Sequence, residues 1–411
     1  MRRYTNSCTL QIFIAVVLWA TACGTLAASA LDSPRSANPQ AIPFARYANY
    51  IWLPVRVNGS APLQFVLDTG ASTCIISQRT ANLLGIEIAG QRHEPRLGTG
   101  EKSSTVGLAK NVVLGIAGIE IQKKEMVVVP LELLEQAVGH RIDGILGSEF
   151  FEHYVVVIDY AKGEVALHGP RDYKYVGDGQ PLPIELKDVR PFVRAVVAFP
   201  GAAPIEGLFA IDTGANGSIS LHSRFVENHH LLSVAQKTIE HSLHGAAGEA
   251  PERIAQADRL QLGTIVIEHP DVGLSVALSG STADSTYDGA IGGEVLRRFK
   301  VILIYSKKQI ILETTPALAQ AFDLDMSGAS LIAAGPDFKK IVVEHVLANS
   351  PISEAGVRVG DVITAIGGNP AADYPLDRLR EMFKREGQEY QLEIQRGDQT
   401  LRVKIKLRRL I

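Results

Sequence analysis

Two aspartates stand in the same short context. Phe65-Val66-Leu67-Asp68-Thr69-Gly70-Ala71-Ser72 recurs as Phe209-Ala210-Ile211-Asp212-Thr213-Gly214-Ala215-Asn216. In each copy an apolar run of strand type stops at a carboxylate, and the glycine two residues on lets the backbone turn sharply beneath it. One such junction is an ordinary strand end. Two in one chain suggest carboxylates meant to meet. Held within hydrogen-bonding distance, two carboxyls cannot both ionise easily; they share a proton and titrate as a pair, which offers a general base and a general acid at one point.

The surrounding sequence repeats as well. Asp143-Gly144-Ile145-Leu146-Gly147 follows the first copy and Asp288-Gly289-Ala290-Ile291-Gly292 the second, with the closing glycine 79 and 80 residues after the aspartate. Tyr154-Val155-Val156-Val157-Ile158-Asp159-Tyr160 matches Phe299-Lys300-Val301-Ile302-Leu303-Ile304-Tyr305. The chain therefore holds two copies of one lobe. In the first, an alternating strand closed by Asn58-Gly59, a strong hairpin signal, leads into the strand that ends at Asp68. The second repeats the plan from Phe192 through Pro200-Gly201 to Asp212. A short helical stretch follows each aspartate (Gln78 to Leu84 and His222 to His230), then a Gly-rich polar segment: Gly98, Thr99 and Gly100 in one lobe, Gly245 and Gly248 in the other. Their place in the repeat favours mobile hairpins that fold over a substrate.

Paired Asp-Thr-Gly motifs, each followed about eighty residues later by apolar-apolar-Gly, resemble the aspartic proteases. The resemblance covers residues 40 to 318 and implies a mainly β, bilobal double-barrel-like fold and hydrolysis of peptide bonds by Asp68 and Asp212 through an activated water. It also implies that Thr69 and Thr213 tie the two loops together, and that Gly70 and Gly214 keep the approach to the carboxylates open. Ser72 is placed to hydrogen-bond Asp68 from outside; its counterpart is Asn216, which would make the pair asymmetric. No tyrosine lies between Gly90 and Lys110, where a pepsin-like flap carries one. Each lobe thus looks like a retroviral-type subunit, duplicated and fused. The reaction implied needs no metal and no cofactor.

Past Thr315-Pro316 the repeat ends. Ser350-Pro351, Ala355-Gly356-Val357, Gly360-Asp361-Val362-Ile363 and Ile366-Gly367-Gly368 resemble a bacterial-type PDZ domain, a small α+β module that binds extended peptides by strand addition to a sheet edge. Ser330, Leu331, Ile332 and Ala333 form the candidate edge. Leu376, Leu379 and Phe383 are expected on the apolar face of the helix beside it. The expected division is a signal peptide over 1–30, a flexible lead-in over 31–43, lobes over 44–180 and 181–318, and the PDZ domain over 326–411.

Net charge is −3 with no long run of one sign, which points away from nucleic acid. Arg2 and Arg3 before the apolar run Ile12 to Ala22, with Ala28-Ser29-Ala30 beyond, read as an export signal. The expectation is a secreted or periplasmic protein; Ala20-Thr21-Ala22-Cys23-Gly24 resembles a lipoprotein box, so envelope anchoring through Cys23 stays open. Of the three cysteines only Cys74 lies in the body of the chain, where it reads as a buried core residue. His229, His230, His241 and His244 lack a completing ligand set and read as solvated loop residues. Glu149 and Glu294 read as helix-opening carboxylates, Asp143 and Asp288 as turn residues. Two readings compete with the protease: a glycosidase, which does not call for tandem Asp-Thr-Gly, and a peptide-binding PDZ scaffold whose protease-like body does not cut.

Overall fold

The repeated motifs fold as crossing strands. In the computed structural model, which describes residues 41–94, 98, 100 and 104–411, Leu63–Leu67 lies parallel to Gly144–Leu146, pairing Val66 with Ile145. The second lobe repeats this with Ile205–Ile211 on Gly289–Ile291, pairing Ala210 with Ala290. Gly144 sits where a Cβ would come 2.2 Å from the Phe65 ring, and Gly147, the closing glycine of the motif, where one would come 2.2 Å from Thr73 O. Both positions are fixed by close approach of neighbouring backbone or side chains. Asn58 and Gly59 both take left-handed φ (49° and 75°), as the tight hairpin demands.

Each lobe is a mixed sheet: eight strands in the first and ten in the second. A third, six-stranded sheet joins them, with Val155–Asp159 of one lobe antiparallel to Phe299–Ile304 of the other. These are the two matching apolar repeats noted in the sequence, now paired with each other. One continuous hydrophobic core therefore runs through both lobes, from Leu53 and Phe65 to Phe209 and Leu303. Cys74 is buried in it and forms no disulfide.

Several expectations change. Ala41–Pro43 is not lead-in: it is an outer strand of the joining sheet, paired with Glu164–His168. Gln180–Pro183 forms the opposite edge, where two prolines cost no ladder bonds. Asp143 and Asp288 do more than shape turns. Asp143 accepts from Gln64 N (2.9 Å) and Thr80 Oγ1 (2.9 Å), and Asp288 accepts from Leu208 N (2.7 Å), so each clips the strand leading to the motif aspartate. The signal segment with Cys23, the rest of the lead-in and Thr99 lie outside the described residues.

The C-terminal domain has its own core, including Leu331, Ile341, Leu379, Phe383 and Ile394. Its edge strand Ala329–Ala334 pairs only with Lys340–Val346, and Leu376–Met382 supplies the helix beside it. Leu376, Leu379 and Phe383 are all buried there. The segment joining it to the second lobe is fastened by Arg298, a wholly buried cation. Arg298 pairs with Glu294 (3.0 Å), donates to the carbonyls of Ala317, Gln320 and Ala321, and lies 3.6 Å from the centre of the Phe322 ring. Glu294 opens the short helix Gly293–Leu296, as expected, and is also the hub of an ion-pair cluster that takes Arg297, with a hydrogen bond from Asn49.

Candidate active site

Asp68 and Asp212 meet at the junction of the lobes. Each emerges from a strand held by the partner motif: Asp68 N donates to Leu146 O (2.9 Å) and Asp212 N to Ile291 O (3.0 Å). The threonines that follow are exchanged across the interface. Thr69 N donates to Thr213 Oγ1 and Thr213 N to Thr69 Oγ1, both at 3.0 Å. Each hydroxyl in turn donates to the opposite strand, Thr69 to Ile211 O (2.5 Å) and Thr213 to Leu67 O (2.8 Å). Both threonines are fully buried, so these four bonds replace water completely.

The two carboxyls hydrogen-bond to each other. Gly70 and Gly214 allow the approach: a Cβ on Gly70 would fall 2.5 Å from Asp212 Oδ1, and one on Gly214 would fall 2.1 Å from Asp68 Cγ. No other residue fits at either position without displacing the facing acid.

The pair is unequal. Asp68 Oδ1 accepts two backbone N–H groups, from Gly70 (2.7 Å) and Ala71 (3.0 Å), whereas Asp212 Oδ1 accepts one, from Gly214 (2.9 Å). Burial, followed by the charge of Asp68, pushes Asp212 up to about 8. Burial raises Asp68 too, but its two N–H donors oppose that rise. The extra amide therefore favours the charged form at Asp68 over Asp212. Such a pair can take a proton from a water and donate a hydrogen bond to a carbonyl at once.

The supporting residues differ from expectation. Ser72 is exposed and does not bond Asp68; the contacts on that carboxyl come from the backbone. Asn216 contributes through its carbonyl, which accepts from Asn49 Nδ2 (2.9 Å) and so links its loop to the first lobe. Ser148 went unnoticed in the sequence; its hydroxyl donates to Thr69 O (2.6 Å), where the second lobe has Gly293. Tyr50 was also missed. It is buried beside Asp68 in an apolar pocket with Val66, Leu134, Ile142 and Ile145, and burial together with both acids raises its phenol.

The Gly-rich segments are hairpins, Ile88–Glu94 with Ser104–Ile116 and Ile239–Gly245 with Gly248–Gln256. Their tips touch. Gly100 has a φ of 128°, and a Cβ there would strike the Ala247 backbone at 2.2 Å. Ala247 is buried in a cluster with Tyr50, Trp52 and Val66, so the second hairpin reaches over the first lobe's side of the site.

Of the histidines in that hairpin, His241 is exposed, as expected, whereas His244 is half-buried. His241 pairs with Glu252 (2.8 Å), and His244 Nε2 lies 2.8 Å from Glu344 of the C-terminal domain, a charge contact rather than an aligned hydrogen bond. Glu249 faces His345 (3.3 Å) in the reciprocal sense. Ligand atoms of His244, Glu249 and Glu344 lie within 4.8 Å of one another, the one such group among the described residues, and the two ion pairs account for their approach. His229 and His230 are exposed, as expected. On the C-terminal domain's candidate edge, Leu331 O accepts from Arg380 (2.7 Å). Gly139 of the first lobe lies directly against Ala333 and Leu376, the two walls of the groove.

Two outcomes test this geometry. Thr69→Val strands a buried N–H and a buried carbonyl, and urea denaturation should show a loss of about 2–5 kcal/mol. His345→Glu sets like charges against Glu249 at the surface and should speed hydrogen exchange in residues 239–256, with the added Glu249→His change slowing it again.

Residues 53–150 match the family model described as aspartyl protease, and residues 316–407 match that of the PDZ domain. No curated protein matches the chain. The chain is mainly β and carries an aspartyl protease domain of the retropepsin-like kind followed by a C-terminal PDZ domain.

Proposed function

We propose that the protein is an aspartic endopeptidase in which Asp68 and Asp212 activate water for peptide hydrolysis. The observation that carries this reading is the unequal hydrogen bonding of two touching carboxyls. Asp68, ionised, takes a proton from water as the water oxygen attacks the scissile carbonyl carbon. Asp212, protonated, donates to the carbonyl oxygen as it gains charge. The tetrahedral adduct collapses when the nitrogen accepts a proton and the C–N bond breaks. Thr69, Gly70, Thr213 and Gly214 position the pair, and the hairpins bearing Gly98, Thr99, Gly100, Gly245 and Gly248 act as flaps that must lift for a peptide to enter. The PDZ domain recruits proteins or peptides, with Ser330, Leu331, Ile332 and Ala333 as the edge that a strand would join once Gly139 of the first lobe and Arg380 move off it. The apolar run Ile12 to Ala22 behind Arg2 and Arg3 supports export to the periplasm or beyond.

Asp68→Asn and Asp212→Asn should each lower kcat on a quenched-fluorescence peptide library by about 10²- to 10⁴-fold or more, while peptide binding by the PDZ domain persists. Full activity in either variant would overturn the pair as the catalytic group, and a parent protein that cuts no peptide would leave the non-cutting scaffold.

Rate should fall as pH rises through about 8, where Asp212 loses its proton, and fall again in acid as Asp68 gains one. Stability follows the same group. A folded-state value raised above the unfolded one means the native protein holds an extra proton between the ordinary carboxylate range and about 8, so stability declines as pH climbs across that window. Asp271 and Asp325, raised by burial to about 7 and about 6, add to the decline. Asp212→Asn should therefore make it shallower and should melt higher than the parent at pH 8 in a thermal scan.

A further inference from the structure

The two halves of the cleft are built from equivalent positions filled differently. Trp52 pairs with Val66 and Phe192 with Ala210, each partner lying two residues before its aspartate. Tyr50 and Arg190, two residues before Trp52 and Phe192, are therefore counterparts. The turns before them agree: Ala48 and Asn49 in one lobe, Asp188 and Val189 in the other, all with left-handed φ. Ile145 and Ala290 correspond through the same pairing, and Ile142 and Tyr287 each precede the clipping aspartate.

In the first lobe these positions make the apolar pocket beside Asp68. In the second, Val66 becomes Ala210 and Ile145 becomes Ala290, which removes aliphatic bulk. Tyr50 becomes Arg190, which adds a permanent cation. Its guanidinium lies 5.6 Å from the Phe192 ring centre and 5.5 Å from that of Tyr287, and its charge acts on both Asp212 and Asp68. Its Nε is buried without a hydrogen-bond partner. The nearest carboxylate, Asp188, is 3.9 Å away and points into solvent with 84 % of its side chain exposed. A planar donor group held by two rings, with one donor unused, matches a carboxylate that bonds in a forked manner.

We propose that Arg190 determines specificity in the second lobe's half of the cleft by taking a peptide carboxylate, either an acidic side chain or a chain terminus, while the Tyr50 pocket takes an apolar side chain. This rests on the proteolytic reading for its setting. Arg190 also offsets the repulsion that the singly charged dyad would exert on an acidic substrate.

The experiment compares peptides that differ only in Glu, Gln or Leu at each residue flanking the cut, in amidated and free-acid forms. The expected result is a kcat/KM for Glu about tenfold or more above that for Gln on one side of the cut. That ratio should collapse in Arg190→Met and be partly kept in Arg190→Lys. Preference in amidated peptides assigns the side chain as the source; preference only in free acids assigns the terminus. A second arm measures fluorescence polarisation of the same labelled peptides on Asp212→Asn with and without Arg190→Met. If nothing is cut but Glu peptides still bind better and lose that advantage with Arg190→Met, the hydrolytic reading falls and the assignment of Arg190 stands. A Glu/Gln ratio near one, a ratio unmoved by Arg190→Met, or no binding and no cleavage of any peptide overturns it.

Discussion

The site depends on one exchange: the amide of Thr69 on the hydroxyl of Thr213, and the reverse, each at 3.0 Å inside a dry interface. Two buried carboxyls in contact repel as soon as both ionise, and each also costs desolvation free energy. Something must hold the strands together against that. Four buried hydrogen bonds do so, and they are rigid because each hydroxyl is used twice, accepting from one loop and donating to the strand beneath the other. Breaking any one leaves a polar group with no water to replace it. The glycines on either side set how close the acids come, and the joining six-stranded sheet fixes the lobes in register.

A duplicated frame of this kind need not stay symmetric. The backbone keeps its two-fold plan in the crossing strands, the clipping aspartates and the threonine exchange. The decoration departs from it. Ser148 braces the first loop where the second has glycine, and two amides reach Asp68 where one reaches Asp212. That imbalance favours charge on one acid over the other, a difference two identical subunits do not have. Fusing the lobes in one chain lets each acid have its own environment.

Much of this was legible in the residues. The alternating strands and the hairpin at Asn58-Gly59 follow from local pattern, whereas the long-range pairing of the lobes and the meeting of Asp68 with Asp212 came from the internal repeat and the resemblance it carries. Tyr50 and Arg190 were hidden for a geometric reason. Trp52 lies 14 residues before Val66, but Phe192 lies 18 before Ala210, because the second lobe's hairpin is longer. The repeat of 144 residues slips there, and only strand register shows the correspondence. Ser72 failed for a different reason: the loop's own amides reach the carboxyl first. The histidine pairs could not be read at all, since His244 and His345 find their partners across a domain boundary.

That boundary bears on how the second hairpin is held. His244 with Glu344 is a half-sheltered contact, and His345 with Glu249 lies about half exposed. Pairs this open to solvent each contribute roughly 0.2–1 kcal/mol, less at high salt. Together they favour this position of the second hairpin by about two- to thirty-fold in population. Packing of Ala247 among Tyr50, Trp52 and Val66 is the larger restraint, because it removes apolar surface from water. The contacts to the C-terminal domain therefore hold the second hairpin less strongly than its own apolar tip does.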